Sequence, residues 1–270
     1  MDQADKKFEL CILIPCYNNL AGLKKSLESI VYKEGKYLIL VVDDGSAEPV
    51  KLEQLTSDRP HRLEIVRLAL NSGITIALNT GLQWIQAHIA CSYIARLDCG
   101  DTCDPIRFFK QLDYLRVNTD IYLLGSWCYF EDRKKNFRYK HRAPTEHDAI
   151  KNSMYFRNVF IHPTVVVRRE ILEKIGQFPE EFPHAEDYAW FWAILETRKT
   201  AILPAYLVVS EINRAGLSQS NRQKQLHSRM AVLKKFGHKF ALRKLGVLKI
   251  RLLMLTPYPV VAFIKRVISI

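Results

Sequence analysis

The sequence predicts an α/β protein with a mainly parallel sheet, helices on both faces and a basic helical annex at its end. Short apolar runs alternate with helix-spaced segments of about a dozen residues, the beat that crossover connections impose on a parallel sheet. Two of those runs end in paired carboxylates, at Asp43-Asp44 and at Asp98 with Asp101. Beyond Glu211 the chain has no acidic residue at all, while leucines and basic residues continue.

Phe8 to Pro15 is a continuous apolar run of the kind buried on both faces, stopped by Pro15 and Asn18-Asn19. Leu20, Leu23, Leu27, Ile30 and Val31 then recur as one face of a helix. Tyr37 to Val42 is the second strand, and its Asp43-Asp44-Gly45-Ser46 exit uses glycine for a tight turn. Leu63 to Leu68 is the third, and Asn71-Ser72-Gly73 opens a helix through Ala77, Leu78, Gly81, Leu82 and Ile85. Tyr93 to Asp101 is the fourth strand, closing on two carboxylates with Gly100 between them. A helix over Ile106 to Leu115 and a strand over Ile121 to Phe130 follow, and the charged Glu131 to Arg142 reads as an exposed hairpin or loop. His162-Pro163-Thr164 leads into a short strand, Val165 to Val167, then a helix from Arg169 to Ile175 stopped by Gly176. Phe178 to His184 is loop and delivers Glu186 and Asp187 to the start of a helix over Tyr188 to Leu195.

Parallel strands would place Tyr17-Asn18, Asp43-Asp44 and Asp98 to Asp101 on one carboxyl rim, where open α/β sheets bind ligands. An acidic rim with a polar aromatic suits a ribose, a base edge and a divalent cation holding a diphosphate better than a bare phosphate. Neither a Walker-type phosphate loop nor a G-x-G-x-x-G after the first strand is present, which disfavours a P-loop or dinucleotide enzyme. From the residues alone a second reading stays open. Asp98 and Asp101 can close a strand and cap a helix, Glu186 and Asp187 can be first-turn acids favoured by free N–H groups, and His162 can be structural.

The net charge of +12 is uneven: residues 212 to 270 hold 13 of the 40 basic residues and none of the 28 acidic ones. The body is therefore near neutral and the excess lies in the tail. Six cysteines without ligand-pair spacing suit free thiols in a reducing compartment, and the amino terminus reads as no secretory signal, so a cytoplasmic location is expected. Residues 225 to 251 interleave apolar and basic residues as an interfacial amphipathic helix pair would. The run Leu252 to Ile264 is too short to span a bilayer and is broken by Pro257 and Pro259. The expectation is a catalytic domain over residues 1–220 and a tail over 221–270 that meets an anionic membrane surface through residues 225–270, with no nucleic acid as partner. A helical annex packed on the domain or on a second subunit is the alternative.

Taken together, Ile12 to Asn18, Val41 to Ser46, Asn71-Ser72-Gly73 with Ala77 to Gly81, Ala95 to Asp101, His162-Pro163-Thr164 and Glu186-Asp187-Tyr188 resemble the nucleotide-sugar-dependent glycosyltransferases of family 2, which have the Rossmann-like GT-A fold. The likeness covers roughly residues 9 to 220 and is similar above all to bacterial enzymes that build O-antigen, capsule or lipooligosaccharide. It implies inverting transfer from a nucleoside diphospho-sugar, a UDP-sugar first, to a glycan or lipid-linked acceptor at the cytoplasmic face of the inner membrane. By the same resemblance Asp187 is the general base and Glu186 orients it. Pro15, Tyr17, Asp43 and Asp44 hold base and ribose, Asn71, Gly73, Arg96 and Asp98 lie near the nucleotide or diphosphate, and His162 lines the acceptor side. The family's Asp-x-Asp-Asp metal motif is Asp98-Cys99-Gly100-Asp101 here, so Asp101, with Asp98, is the expected ligand set for Mn2+ or Mg2+. The missing middle aspartate leaves a catalytically idle nucleotide-sugar-binding subunit as the competing expectation.

Overall fold

A computed structural model describes residues 7–55, 62–132, 135–212 and 221–256. Its first half is the parallel unit that the apolar runs predict. Strands β1 (Lys7–Cys16), β2 (Tyr37–Asp43), β3 (Arg62–Arg67) and β4 (Ala90–Arg96) pair in the order β3-β2-β1-β4, all parallel. Every residue of β2 is buried, because helices cover both faces of the sheet. Alternation along β1 sorts its side chains into two cores. Cys11 and Leu13 face helix α2 (Ile74–His88), while Leu10, Ile12 and Ile14 face α1 (Leu20–Glu28) and α3 (Arg107–Val117).

The second half is antiparallel at the join. The two-residue strand β5 (Thr102–Cys103) is the far edge, β6 (Ile121–Asp132) and β7 (Phe137–His141) form a hairpin, and β8 (Val166–Arg168) sits between β4 and β6, antiparallel to both. Helices α4 (His147–Met154), α5 (Ile171–Lys174) and α6 (Glu186–Thr197) precede β9 (Lys199–Glu211), which runs parallel to β6. The full order is β3-β2-β1-β4-β8-β6-β9-β5, with β7 added on β6. Neither β9 nor α4 is foreseen by pattern. Pro204 reads as a strand breaker, yet it lies where Ser126 pairs Leu203 and Trp127 pairs Tyr206, in a bulge that needs no N–H from it.

The tail is a helical pair, α7 (Arg222–Phe236) and α8 (Phe240–Leu255). It is packed on the domain. Leu226, Val232 and Leu233 of α7 and Ile250 of α8 are buried in the same core as the α6 aromatics. Gly246 lets α8 approach so closely that the Tyr155 carbonyl occupies the space of a Cβ. The other side of α8 is open: Leu245, Leu248, Leu252 and Leu255 are all exposed, spaced as one helical face. Among the described residues no helix is long and apolar enough to cross a membrane. Residues 257–270, which include most of the predicted apolar run, lie outside the described residues.

Candidate active site

The carboxyl edge of the sheet gathers the predicted residues, but not all with free side chains. Asp43 ends β2 fully buried: Oδ1 accepts from the Ser46 amide at 3.0 Å, and Oδ2 accepts from the Val50 amide at 3.1 Å and from Arg67 Nη1 at 2.7 Å. Burial alone would raise its pKa, but hydrogen bonds from Ser46 and Val50 and the charge of Arg67 outweigh it and hold the carboxyl below its ordinary value. Asp44 accepts from the Ser72 amide at 2.8 Å, the Gly73 amide at 3.0 Å and Asn71 Nδ2 at 3.1 Å. Both are expected to hold base and ribose. As placed, they accept from protein donors and shape the loops at this end of the rim. Gly45, at φ +68°, makes the turn between those loops possible and leaves no room for a side chain against Leu70.

Beside them Pro15 is buried in β1 opposite Val42, and Tyr17 stands half exposed on the rim. A cleft of about 320 Å³ lined by Asn18, Ser46, Glu48 and Val50 opens next to Tyr17. Asn18 adopts φ +48°, donating its amide to Ser46 Oγ at 2.9 Å and accepting from the Ala47 amide at 2.9 Å, which ties the first rim turn to the second.

At the tip of β4, Arg96 is buried. Its Nη1 donates to the Leu13 carbonyl at 2.6 Å, Nη2 to Asp98 Oδ1 at 2.5 Å, and Nε to His162 Nε2 at 3.3 Å. The guanidinium, expected near the nucleotide or diphosphate, is bonded to the protein here and aims Asp98. Because His162 Nε2 accepts, the ring is neutral there, and burial followed by the Arg96 charge pushes its pKa well below the ordinary value. The His162 ring packs between Phe178 and Phe191.

Asp98 keeps 40 % of its side chain exposed, whereas Asp101 is buried and accepts the Glu211 amide on Oδ1 at 2.8 Å. Burial, then the charge of Asp98, pushes Asp101 up to about 8. Gly100 takes φ +104°, and Ser26 Oγ, accepting from the Gly100 amide and donating to the Asp101 carbonyl, both at 2.8 Å, fixes that turn. Asp101, the expected metal ligand, is placed so that it fastens the end of β9. Among the described residues no three His, Cys, Asp or Glu side chains form a metal cage. One open carboxylate, Asp98, does fit a cation carried mainly by a diphosphate and water, the usual way Mg2+ is held.

Glu186 and Asp187 occupy the first turn of α6, after an Ala185 that makes no side-chain cap. Glu186 is buried with Oε2 unpartnered, and burial followed by the neighbouring Asp187 pushes it up to about 7. Asp187 is half-buried. Its Oδ1 accepts from the Tyr188 amide at 2.6 Å and its Oδ2 from Asn158 Nδ2 at 2.9 Å. Burial is the main cause that raises it, to about 6, with Asp98 adding and the Tyr188 amide and Arg229 opposing. Asp98 adds to the rise of both helix acids, and Arg96 links it to His162, whose ring packs on Phe191 of α6. Asn158, Ser26, Arg67 and Arg229 escape sequence reasoning. Only Arg67, a basic residue ending a strand at the acidic rim, carried a usable signal.

A curled, mostly parallel sheet with carboxylates on its carboxyl edge, and a later helix that opens on two acids, defines the GT-A class of glycosyltransferases. The chain belongs to Glycosyl transferase family 2, whose model matches residues 11–176. It is 27% identical over 243 residues to the amylovoran biosynthesis glycosyltransferase AmsE of Erwinia amylovora, covering 88% of each chain. It is 26% identical over 193 residues to the UDP-Gal:alpha-D-GlcNAc-diphosphoundecaprenol beta-1,3-galactosyltransferase of Escherichia coli, covering 70% of this chain and 68% of that one. In fold it is similar to the mannosyltransferase PcManGT from Pyrobaculum calidifontis in complex with GDP-Man and Mn2+, with a TM-score of 0.63 at 16% identity over 96% of this chain and 79% of that one. Helix α6 lies beyond the matched residues, so the roles of Glu186 and Asp187 rest on their geometry.

Proposed function

We propose that this glycosyltransferase moves a sugar, with inversion, from a nucleoside diphospho-sugar to a hydroxyl of a growing cell-surface glycan, with Asp187 as the general base. A UDP-sugar is the favoured donor, because one relative is named for UDP-Gal. The observation that carries the reading is Asp187 itself, a carboxylate poised at about 6, with Asp98 adding to its rise. A base works best with a pKa near the working pH, ionised but still able to hold a proton. In the reaction the acceptor oxygen bonds to the anomeric carbon, the bond from that carbon to the diphosphate breaks, and the nucleoside diphosphate leaves with the electron pair. The hydroxyl proton passes to Asp187.

Asn158 holds Asp187 from one side and Glu186 buttresses it in the same turn, while the neutral ring of His162 lines the acceptor side without competing for the proton. Tyr17 and Pro15 border the base and ribose end and Asn71 and Gly73 the nucleotide or diphosphate, on loops that Asp43 and Asp44 fasten. Asp98 is the protein's ligand to a divalent cation, which when bound offsets charge on the departing diphosphate. The exposed leucines of α8, beside exposed Lys244, Lys249 and Arg251, provide a peripheral contact with the anionic cytoplasmic face of the inner membrane, where a lipid-linked acceptor would be met.

The test is transfer from a panel of UDP- and GDP-sugars to a lipid-diphosphate-linked sugar. Asp187→Asn should lower turnover by about 10²-fold or more while donor affinity stays within about twofold. A variant with normal turnover removes Asp187 from the chemistry.

A further inference from the structure

Next to this site lies a row of cations that the chemistry above does not use. Along the β6–β7 hairpin Arg138 stands opposite Glu131 and Lys140 opposite Tyr129. Alternation puts Arg138, Lys140 and, one step beyond β7, Arg142 on one face. Tyr139 and His141 point the other way, onto Phe130. The first face carries an aromatic row, in which Tyr206 of β9 stacks on Tyr129 at 4.5 Å and meets Trp127 at 5.4 Å. Each cation is seated on a ring: Arg138 lies 3.6 Å from the Tyr129 centroid, Arg142 5.3 Å from Trp127 and Lys140 5.6 Å from Tyr206. Arg142 Nε also donates to the Tyr206 hydroxyl at 2.7 Å.

The row runs toward the base. Arg157 Nη2 donates to the Arg142 carbonyl at 3.1 Å, and the next residue, Asn158, holds Asp187. All four cations are exposed, and among the described residues none is ion-paired to a carboxylate. Glu131 is the one acid that β6 and β7 place on this face. Like charges left unpaired side by side repel one another, and an arrangement that keeps them so is relieved by a bound anion. The rings restrict where the cations can move, each contact contributing about 0.5–1 kcal/mol at an exposed site, so little freedom is lost when an anion arrives.

We propose that this row is the approach track for the acceptor, and that the acceptor is an anionic glycan strand bearing carboxylate or phosphate groups. This rests on the reading of Asp187 as the base that receives the strand's terminal hydroxyl. Neighbouring cations on one strand face are about 7 Å apart, a spacing that an extended chain with recurrent negative groups can follow. The rings are covered by the protein's own cations and offer no bare platform to bases, which disfavours single-stranded nucleic acid. The exposed leucine face of α8 is the one suited to lipid.

The experiment measures binding of the full chain to oligogalacturonate and to its methyl-esterified, neutral counterpart. Expected is at least tenfold tighter binding of the charged oligomer, weakened when NaCl is raised from about 50 to 300 mM. Arg138→Gln with Lys140→Gln should abolish that preference, and Arg157→Gln alone should weaken it, with melting temperature and UDP binding unchanged. Equal affinity for the two oligomers, no binding of either, or an unaltered double variant overturns the proposal. So does tighter binding of an oligothymidylate of equal charge, or loss of the preference on adding phosphatidylglycerol vesicles. A wild type that binds oligogalacturonate yet no nucleoside diphospho-sugar overturns the donor reading instead.

Discussion

Asn158 Nδ2 donates to Asp187 Oδ2 at 2.9 Å, across 29 positions of sequence, so an irregular segment and the start of α6 hold the proposed base between them. An N–H aimed at a carboxylate favours its ionised form. Hydrogen bonds to charged groups contribute about 1.5–3 kcal/mol, or roughly one to two pKa units. Turnover should therefore rise with pH through about 6 in the wild type, as Asp187 loses its proton. In Asn158→Ala that acidic limb should move to higher pH by about one unit, leaving about a twofold deficit at pH 7, about fivefold at pH 6, that recovers by pH 9. A pH–rate profile decides it. A uniform loss at every pH would mean that Asn158 only supports the loop.

The same pair shows what a sequence can and cannot disclose. Glu186 and Asp187 stand out because two acids opening an aromatic helix are visible as chemistry. Asn158 is a lone amide in an irregular stretch, and nothing in its neighbours marks its partner. The parallel half of the fold was legible because strands buried on both faces, such as β2, must be apolar throughout. β9 was not, since the bulge that tolerates Pro204 exists only once Trp127 is there to pair with Tyr206. Asp43 and Asp44 were correctly placed at a strand end. Whether a carboxylate there faces ligand or loop depends on the amides of Ser46, Val50, Ser72 and Gly73, whose directions no pattern records.

Asp98 and Asp101 should separate in any cation experiment. Asp98 is the open carboxylate, and Asp101 is turned to the Glu211 amide. Calorimetry of UDP binding with and without Mn2+ should show a cation-dependent gain in affinity that Asp98→Ala loses by about tenfold or more. Asp101→Asn, which keeps an acceptor oxygen, should retain that gain. Retention in Asp98→Ala with loss in Asp101→Asn would restore the ligand role that the family motif implies for Asp101.

Asp101 makes a separate prediction about stability. Its folded value of about 8 lies above the ordinary 3.8 of the unfolded chain, so between these the folded state holds a proton that the unfolded state has released. Stability from this group is whole below pH 3.8 and falls as pH climbs toward 8. Asp101→Asn removes that dependence. Its melting temperature relative to wild type should gain about 8 °C or more between pH 5 and pH 8, since about three pKa units at about 1.4 kcal/mol each make about 4 kcal/mol and each kcal/mol is about 2–4 °C. Glu186 and Asp187 slope the same way in both proteins and cancel in the difference. Parallel melting curves across that range would show that Asp101 is ionised without penalty.

The helical annex has two faces, and they should fail differently. Leu226, Val232, Leu233 and Ile250 are buried in the core that contains the α6 aromatics, and losing a buried leucine or isoleucine side chain costs about 2–5 kcal/mol. Deleting residues 222–270 should therefore give an aggregating protein, whatever the tail does at a membrane, and fractionation of that truncation tests nothing about lipid. The discriminating variant is Leu245→Ser with Leu248→Ser and Leu252→Ser, all on the exposed face. Burying each leucine in a bilayer interface is worth about 1.5–3 kcal/mol at most, with about 1 kcal/mol from each nearby Lys or Arg. Binding to phosphatidylglycerol vesicles should fall at least tenfold in the triple variant, with a melting temperature within about 2 °C of wild type. If vesicle binding is unchanged, the exposed leucines serve some contact other than lipid, and the membrane assignment of α8 is lost.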